Sequence, residues 1–235
     1  MNPKALYWID LETSGLNPAE DHILEIAIAR APFERPFQVT MAYNQTIRFT
    51  DWSSVDPYVI EMHHKSGLMI DCMRSKMAIY DAESLSLDVA RQLENVVATF
   101  KNDWVSESGE KMKSDELPVL AGSSVHFDRG FLKHDLEDFS RLFSHRYYDV
   151  SALKLFCRSM GMAIQPKAEA HRAMEDIMES IAHARQCAWW LAKHNFADLI
   201  RKRDEVTYEE LDAQDERPAE VDEGMFSGTK PDVPF

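Results

Sequence analysis

The first half of the chain is patterned for strands and covering helices, and the second half for alternating strand and helix. Leu6 to Glu12 (LYWIDLE) is apolar and β-prone, and Gly15, Asn17 and Pro18 mark a turn after it, so the pattern predicts a strand ending in a loop. Ile23 to Ala31 alternates apolar with other residues, and Gln38 to Phe49 is rich in β-branched and aromatic side chains, with Pro32 and Pro36 between them. Three successive strands suggest an antiparallel meander. Asp56 to Ser66 and Ala82 to Val105 carry helical spacing, the second with Leu85, Val89, Leu93, Val96, Val97 and Phe100 on one stripe. After a polar loop over Lys101 to Glu116, Pro118 to Gly122 reads as a buried strand, His126 to Phe139 as a helix, Tyr147 to Ser151 as a short strand and Ala152 to Gly161 as a helix. The last strong helix covers about Ala173 to His194, with Trp189 and Trp190 near its end, where they suit core or dimer packing. Strand and helix alternating in this way is what parallel pairing requires.

Composition narrows the class. At 235 residues, 45% hydrophobic and 28% charged, the chain can bury one large core. No run of 18 apolar residues occurs, and Met1 to Lys4 leads straight into the first strand, so neither a membrane span nor a secretory signal is expected. Cys72, Cys157 and Cys187 are odd in number and widely spaced, which points to a reducing cytoplasm rather than a disulfide framework or a zinc knuckle. The net charge of −14 argues at first against a nucleic-acid ligand. Yet Asp204 to Phe235 holds eleven acids against two bases, leaving only −5 on residues 1–203. The expected organisation is one domain over residues 1–203 and an acidic, solubilising, flexible tail over 204–235.

Chemistry is carried by a few acids and one histidine. Asp10 and Glu12 lie two apart at the end of the first strand, so their side chains leave one face together. Burying such a pair is costly unless a cation or proton compensates it, although the pair alone also reads as a strand end entering solvent. Asp128, in SSVHFDRGFL, and Asp176, in HRAMED, also have two readings, as a helix first-turn acid and an exposed helical acid or as members of one cluster. His171 stands five residues before Asp176, about 140° around an ideal helix, so both can face one site only if His171 lies on the turn before the helix. No phosphate-binding loop of the G-x-x-x-x-G-K-[ST] type and no G-x-S-x-G elbow is present.

Together the segments WIDLETSGLNPAEDHILEIA, SSVHFDRGFL and HRAMEDIMES resemble the three motifs of the DEDDh exonucleases, in the ribonuclease H-like superfamily, with Asp10, Glu12, Asp128, His171 and Asp176 in the defining positions. HRYYDVSALKLF and MHHKSGL are similar to segments of the oligoribonuclease family within it. The resemblance covers roughly residues 5 to 195. It implies an α/β fold, a mixed five-stranded sheet flanked by helices, and 3′-to-5′ hydrolysis of phosphodiesters by two Mg²⁺ or Mn²⁺ ions. Hard oxygen ligands suit such ions, and two of them about 3.5–4 Å apart can stabilise attacking and leaving oxygens together.

The resemblance further implies roles for single residues. Asp10 would bridge both ions, Glu12 and Asp176 would complete the nucleophile-side ion, Asp128 would act directly or through water, and His171 would be the general base. Leu16 and Tyr58 would wedge the terminal bases, Tyr58 standing where the family usually has tryptophan. His63 would approach the scissile region or the 3′-terminal sugar. Ser124, Arg146 and Ser151 would hold the 5′ phosphate of a very short single-stranded RNA, partly from the second subunit of a homodimer. His145, Phe127 and Thr13 depart from the oligoribonuclease pattern, and Thr13 in DLETSGL is closer to DnaQ-like enzymes that act on DNA or longer RNA. A 3′-to-5′ DNA exonuclease and a non-catalytic nucleic-acid-binding domain are therefore the competing readings. Asp149 reads as structural, orienting a backbone or serine partner.

Overall fold

The structure is a computed structural model that describes residues 3–79, 89–106, 109–110, 112–114, 116–164 and 171–194. Five strands form one sheet: β1 (Ala5–Thr13), β2 (Ile23–Pro32), β3 (Met41–Thr46), β4 (Val119–Gly122) and β5 (Tyr147–Asp149), in the order β3-β2-β1-β4-β5. β1 pairs antiparallel with β2 and parallel with β4, β2 pairs antiparallel with β3, and β4 pairs parallel with β5. The leading meander and the two later parallel strands both match the sequence reading.

Seven α-helices accompany the sheet among the described residues. They are α1 (Pro57–Lys65), α2 (Leu68–Arg74), α3 (Val89–Thr99), α4 (His126–Asp135), α5 (Glu137–Ser140), α6 (Val150–Ser159) and α7 (Ala173–Lys193). The period-2 alternation of β1 sorts its side chains between two cores. Tyr7, Ile9 and Leu11 pack with Leu93 of α3, Phe131 of α4 and Phe139 of α5. Leu6 and Trp8 pack with Ala27, Ala29 and Ala31 of β2 and with Ile177, Ile181 and Ala184 of α7. The alanines of β2 are small enough to admit the indole of Trp8 and the long helix on the same face.

Several boundaries differ from the expectation. The strand expected over Gln38 to Phe49 is only Met41–Thr46. The helix expected over Ala82 to Val105 is seen as Val89–Thr99, followed by a 3₁₀ turn at Lys101–Asp103, and its residues 82–88 lie outside the described residues. Leu136 takes φ −137° and ψ 51° with its side chain buried, which splits the helix expected over His126 to Phe139 into α4 and α5. α2 has no counterpart in the sequence reading; it starts from Gly67, whose φ of 79° favours glycine. β5 stops at Asp149 because that carboxylate accepts the N–H groups of Ser151 and Ala152 and so caps α6. Trp190 packs against buried Cys157, Met162 and Cys187, as core packing requires, whereas Trp189 is 62% exposed with the Lys193 ammonium over its ring. Met1–Lys193 forms one compact unit, and the acidic tail expected over 204–235 lies outside the described residues.

A buried polar knot fixes the 3₁₀ turn to the sheet. The Arg30 guanidinium forks onto Asp103 at 2.6 and 2.7 Å, and the Tyr7 hydroxyl donates to the same carboxylate at 2.8 Å. Burial first, and then the Asp103 charge, push the Tyr7 hydroxyl well above its ordinary pKa, so it stays a donor. Removing one partner of a buried pair typically costs about 3–5 kcal/mol, because the other is stranded. Asp103→Ala is expected to lose stability on that scale in urea unfolding, and Arg30→Met combined with Asp103→Leu should recover most of the loss.

Candidate active site

The face of β1 that meets α7 changes character within a few residues. Leu6 and Trp8 are core, and the next two positions of the same parity are Asp10 and Glu12. α7 delivers Asp176 to them from its first turn, held there by Ile177 and Ile181 on the core below. Carboxylate oxygens of Asp10, Glu12 and Asp176 all lie within 4.8 Å of one another, with Glu12 and Asp176 buried. Such a set of hard oxygen donors at close quarters fits a divalent cation.

Asp128 arrives from the other side, from the first turn of α4. Its Oδ1 accepts the Leu11 N–H at 2.9 Å, which serves a backbone donor of β1 beyond its last β4 partner at Trp8. Asp128 lines the same cleft as the other three but stands apart from their tight cluster, so the sequence-predicted quartet resolves into three acids together and one beside them. His171 also lines the cleft. It has φ 48° and precedes α7, which begins at Ala173, so it occupies the turn that a shared site with Asp176 requires.

The cleft has a volume of about 480 Å³ and a mixed rim. Leu16, 80% exposed, and Tyr58, 71% exposed, stand on its lining together with Ser124 and Phe127. The loop carrying Leu16 is pinned by Asp21, which accepts from the Asn17 N–H at 2.8 Å and the Ser14 hydroxyl at 3.2 Å. A Cβ on Gly15 would overlap that carboxylate, which is why glycine stands there.

Other sequence-predicted residues fall elsewhere. His63 is 0% exposed: its Nε2 bonds to the Thr13 carbonyl at 3.0 Å and its Nδ1 lies 4.0 Å from a Glu12 oxygen. Burial pushes its pKa down, against the Thr13 carbonyl that pushes it up, so the ring is a neutral brace beneath the end of β1. The expected approach of His63 to the scissile region or the 3′-terminal sugar would be made from this place beside Glu12. Ser124, at φ 56°, donates its N–H to Asp149 at 3.2 Å and its hydroxyl to that of Ser151 at 3.1 Å. Asp149 is thus the structural acid expected, and Ser124 and Ser151 are brought together at the cleft's edge. Arg146 is exposed on the approach to β5 and is not among the residues lining the cleft.

Two residues escaped the sequence reading. Glu25 lies opposite Glu12 in the β1–β2 register and is fully buried. Its carboxylate accepts from Arg172 Nη2 at 2.9 Å, Arg172 Nε at 3.3 Å and the Ala173 N–H at 2.9 Å. The signal was present: a charged residue at the parity of Ala27, Ala29 and Ala31, inside an apolar strand. Burial alone would raise the Glu25 pKa, but the hydrogen bonds from Arg172 and Ala173 and the Arg172 charge outweigh it and hold the carboxyl below its ordinary range.

Comparison with known proteins decides the family. The family described as Exonuclease matches residues 7–100. Oligoribonuclease of Colwellia psychrerythraea is 33% identical over 187 residues, covering 77% of this chain and 92% of its own length. The probable oligoribonuclease of Dictyostelium discoideum is 32% identical over 182 residues, covering 76% of this chain and 85% of its own length. The chain belongs to the oligoribonuclease family. An Escherichia coli exonuclease I–single-stranded DNA complex, in its zinc-bound form, superposes with a TM-score of 0.51 at 15% identity. That match covers 90% of this chain and 43% of the other, and it shows the fold, which is ribonuclease H-like. In this oligoribonuclease-family chain no helix among the described residues is long and apolar enough to cross a membrane.

Two outcomes follow from the geometry. Gly15→Ala is expected to cost about 1–3 kcal/mol in thermal unfolding, the scale of overpacking, by driving Asp21 from the loop. Glu25 is held below its unfolded value of about 4.3, so its stabilising contribution is complete above about pH 4.3 and is lost as pH falls through the folded value. Glu25→Gln should accordingly flatten the acid limb of stability against pH, as followed by urea unfolding from pH 3 to 7.

Proposed function

We propose that the chain is a metal-dependent 3′-to-5′ exoribonuclease that hydrolyses short single-stranded RNA to nucleoside 5′-monophosphates. The observation that carries this reading is the convergence of Asp10, Glu12 and Asp176 within 4.8 Å, with Asp128 and His171 on the same cleft. The donors are all carboxylate oxygens, which fits two Mg²⁺ or Mn²⁺ ions rather than a soft metal. Asp10 would bridge the pair, Glu12 and Asp176 would complete the nucleophile-side ion, and Asp128, with one oxygen on the Leu11 N–H, would reach the other directly or through water. Bound there, such ions supply a water nucleophile and stabilise charge on the attacking and leaving oxygens.

The chain's own groups do the rest. His171 takes the proton of the attacking water at a ring nitrogen, the chemistry histidine is suited to near neutral pH. Its place before α7 leaves the imidazole on the cleft, while Asp176, the fourth residue of the helix, faces the same space. Leu16 and Tyr58 offer apolar and aromatic surface for terminal bases, and stacking of that kind accepts any base. Ser124 and Ser151 present hydroxyls at the rim, where a 5′ phosphate would be held. Arg146, exposed on the approach to β5, would join them in gripping that phosphate, partly from a second copy of the chain, so a homodimer is part of the proposal. A reducing cytoplasm is supported by the buried free thiols of Cys72, Cys157 and Cys187.

End-labelled RNA and DNA of two to twenty nucleotides, incubated with Mg²⁺ or Mn²⁺, test the reading. Short RNA should be lost fastest, a chelator should abolish the loss and added metal should restore it. Faster loss of DNA selects the DNA exonuclease alternative, and no loss of either selects a non-catalytic domain. His171→Ala should lower kcat by about 10²–10⁴-fold while Mn²⁺ and substrate affinities stay near wild type. Tyr58→Ala should weaken substrate binding by about 1–3 kcal/mol, roughly 5- to 150-fold in KM, with a smaller effect on kcat.

A further inference from the structure

We propose that Glu25 is a positioning residue for His171: its buried carboxylate clamps Arg172 and the Ala173 N–H and thereby fixes the turn that aims the imidazole into the cleft. The proposal rests on the reading of His171 as the general base. Glu25 sits on β2 beside Glu12, on the sheet face that α7 covers. It is held from several sides, by the Arg172 fork at 2.9 and 3.3 Å, the Ala173 N–H at 2.9 Å, the Thr46 hydroxyl at 3.3 Å and the Asn44 amide at 3.5 Å. Arg172 in turn reaches Asp71 of α2 with Nη1 at 3.0 Å, so the clamp joins strand, short helix and turn.

His171 is the residue immediately before this clamp, and its φ of 48° is a conformation that an L-residue keeps only where its surroundings over-determine it. The two residues after it are both tied to Glu25, one by side chain and one by backbone, which is how a single carboxylate can impose that turn. Ala173 opens α7, so its N–H also belongs to the donors that no helix residue can serve. Asp176 has a further anchor. Its N–H bonds to the Arg172 carbonyl at 2.9 Å, within the clamp, but neighbouring Ile177 and Ile181 pack independently into the core against β1 and β2. Loss of the clamp should therefore move the base more than the metal ligand.

Glu25→Gln keeps the shape and removes the charge, so the Arg172 fork loosens while the helix stays packed. A displacement of about 1 Å at a reacting group can cost on the order of 100-fold in rate. The expected result is a kcat lowered by about 10- to 100-fold on a short oligoribonucleotide, with KM and Mn²⁺ affinity within about twofold of wild type. These measurements are made at a temperature where circular dichroism shows the variant fully folded. In a His171→Ala background the same change should alter the residual rate by less than about twofold, since the group it positions is already gone. In the metal-free protein the His171 imidazole resonances should shift toward those of a solvent-exposed histidine. Arg172→Lys, which keeps the charge but loses the fork, should reproduce the kinetic and spectral effects and serves if Glu25→Gln does not fold. A rate equal to wild type, a loss of equal size in both backgrounds, or imidazole resonances unmoved by the substitution would each overturn the proposal. If the wild-type chain cleaves no oligonucleotide, the general-base reading fails by itself, and the metal-free resonances still decide whether Glu25 sets the histidine's position.

Discussion

The packing of α7 on the alanine-lined face of β1 and β2 is the constraint from which the site follows. Leu6, Trp8, Asp10 and Glu12 share one parity of β1, and Ile177, Ile181 and Ala184 lock the helix over the apolar half of that row. The register of that packing leaves the first turn of α7 opposite the acidic half. Asp176 then has one place to go, against Asp10 and Glu12. A shift of α7 by one turn, about 5.4 Å, would withdraw the third carboxylate and put buried apolar groups against two acids. Core packing and site assembly are therefore one event.

Four acids on this part of the sheet and its covering helix are compensated in two ways. Glu25 receives a built-in counterion, Arg172, together with backbone and side-chain donors, and their combined effect holds its carboxyl below the ordinary range in spite of burial. Asp10, Glu12 and Asp176 lie close enough to share a divalent cation, and it is their mutual approach that makes such an ion favourable. The distinction matters for chemistry, because an arginine-matched acid cannot exchange its partner for substrate-linked charge, whereas a cation cluster can add water and phosphate oxygens. The strand pair Glu12↔Glu25 places the two arrangements side by side, one matched by an arginine and one suited to a cation.

Much of this was legible in the chain because it depends on local periods. The two-residue repeat aligned Asp10 with Glu12, and the 3.6-residue repeat demanded that His171 stand outside the helix bearing Asp176; the structure has both features. The alternation of strand and helix after residue 118 likewise gave the parallel pairs β1–β4 and β4–β5. What escaped was set by contacts distant in sequence. The Glu25–Arg172 clamp spans 147 residues, and no local pattern selects Arg172 as the partner of a strand glutamate. The burial of His63 was equally hidden: its segment matched a family pattern, but only the packing of α1 shows that the ring lies against Thr13 and Glu12. The break at Leu136 has no local marker: its φ of −137° and ψ of 51° go with a side chain buried in the core, and the Arg129 guanidinium gathers the carbonyls of Ser140, Phe143 and Ser144 farther along.

The shape of the cleft bears on what kind of nucleic acid the site suits. A space of about 480 Å³ falls in the range of ligand-sized pockets. Single exposed apolar residues are ordinary on a protein surface, but Leu16 and Tyr58 sit on the same small cleft as four acids, where water would otherwise compete for every charge. Apolar faces around a charged floor suit a ligand that is itself divided, with flat bases at one level and phosphates at another. Affinity for such a ligand would come from stacking and from cation-bridged phosphate oxygens, and because most of the net charge of −14 lies on residues 204–235 the acidity of the whole chain does not oppose it. Contacts of that kind are few and local, so a chain that is acidic overall can make them.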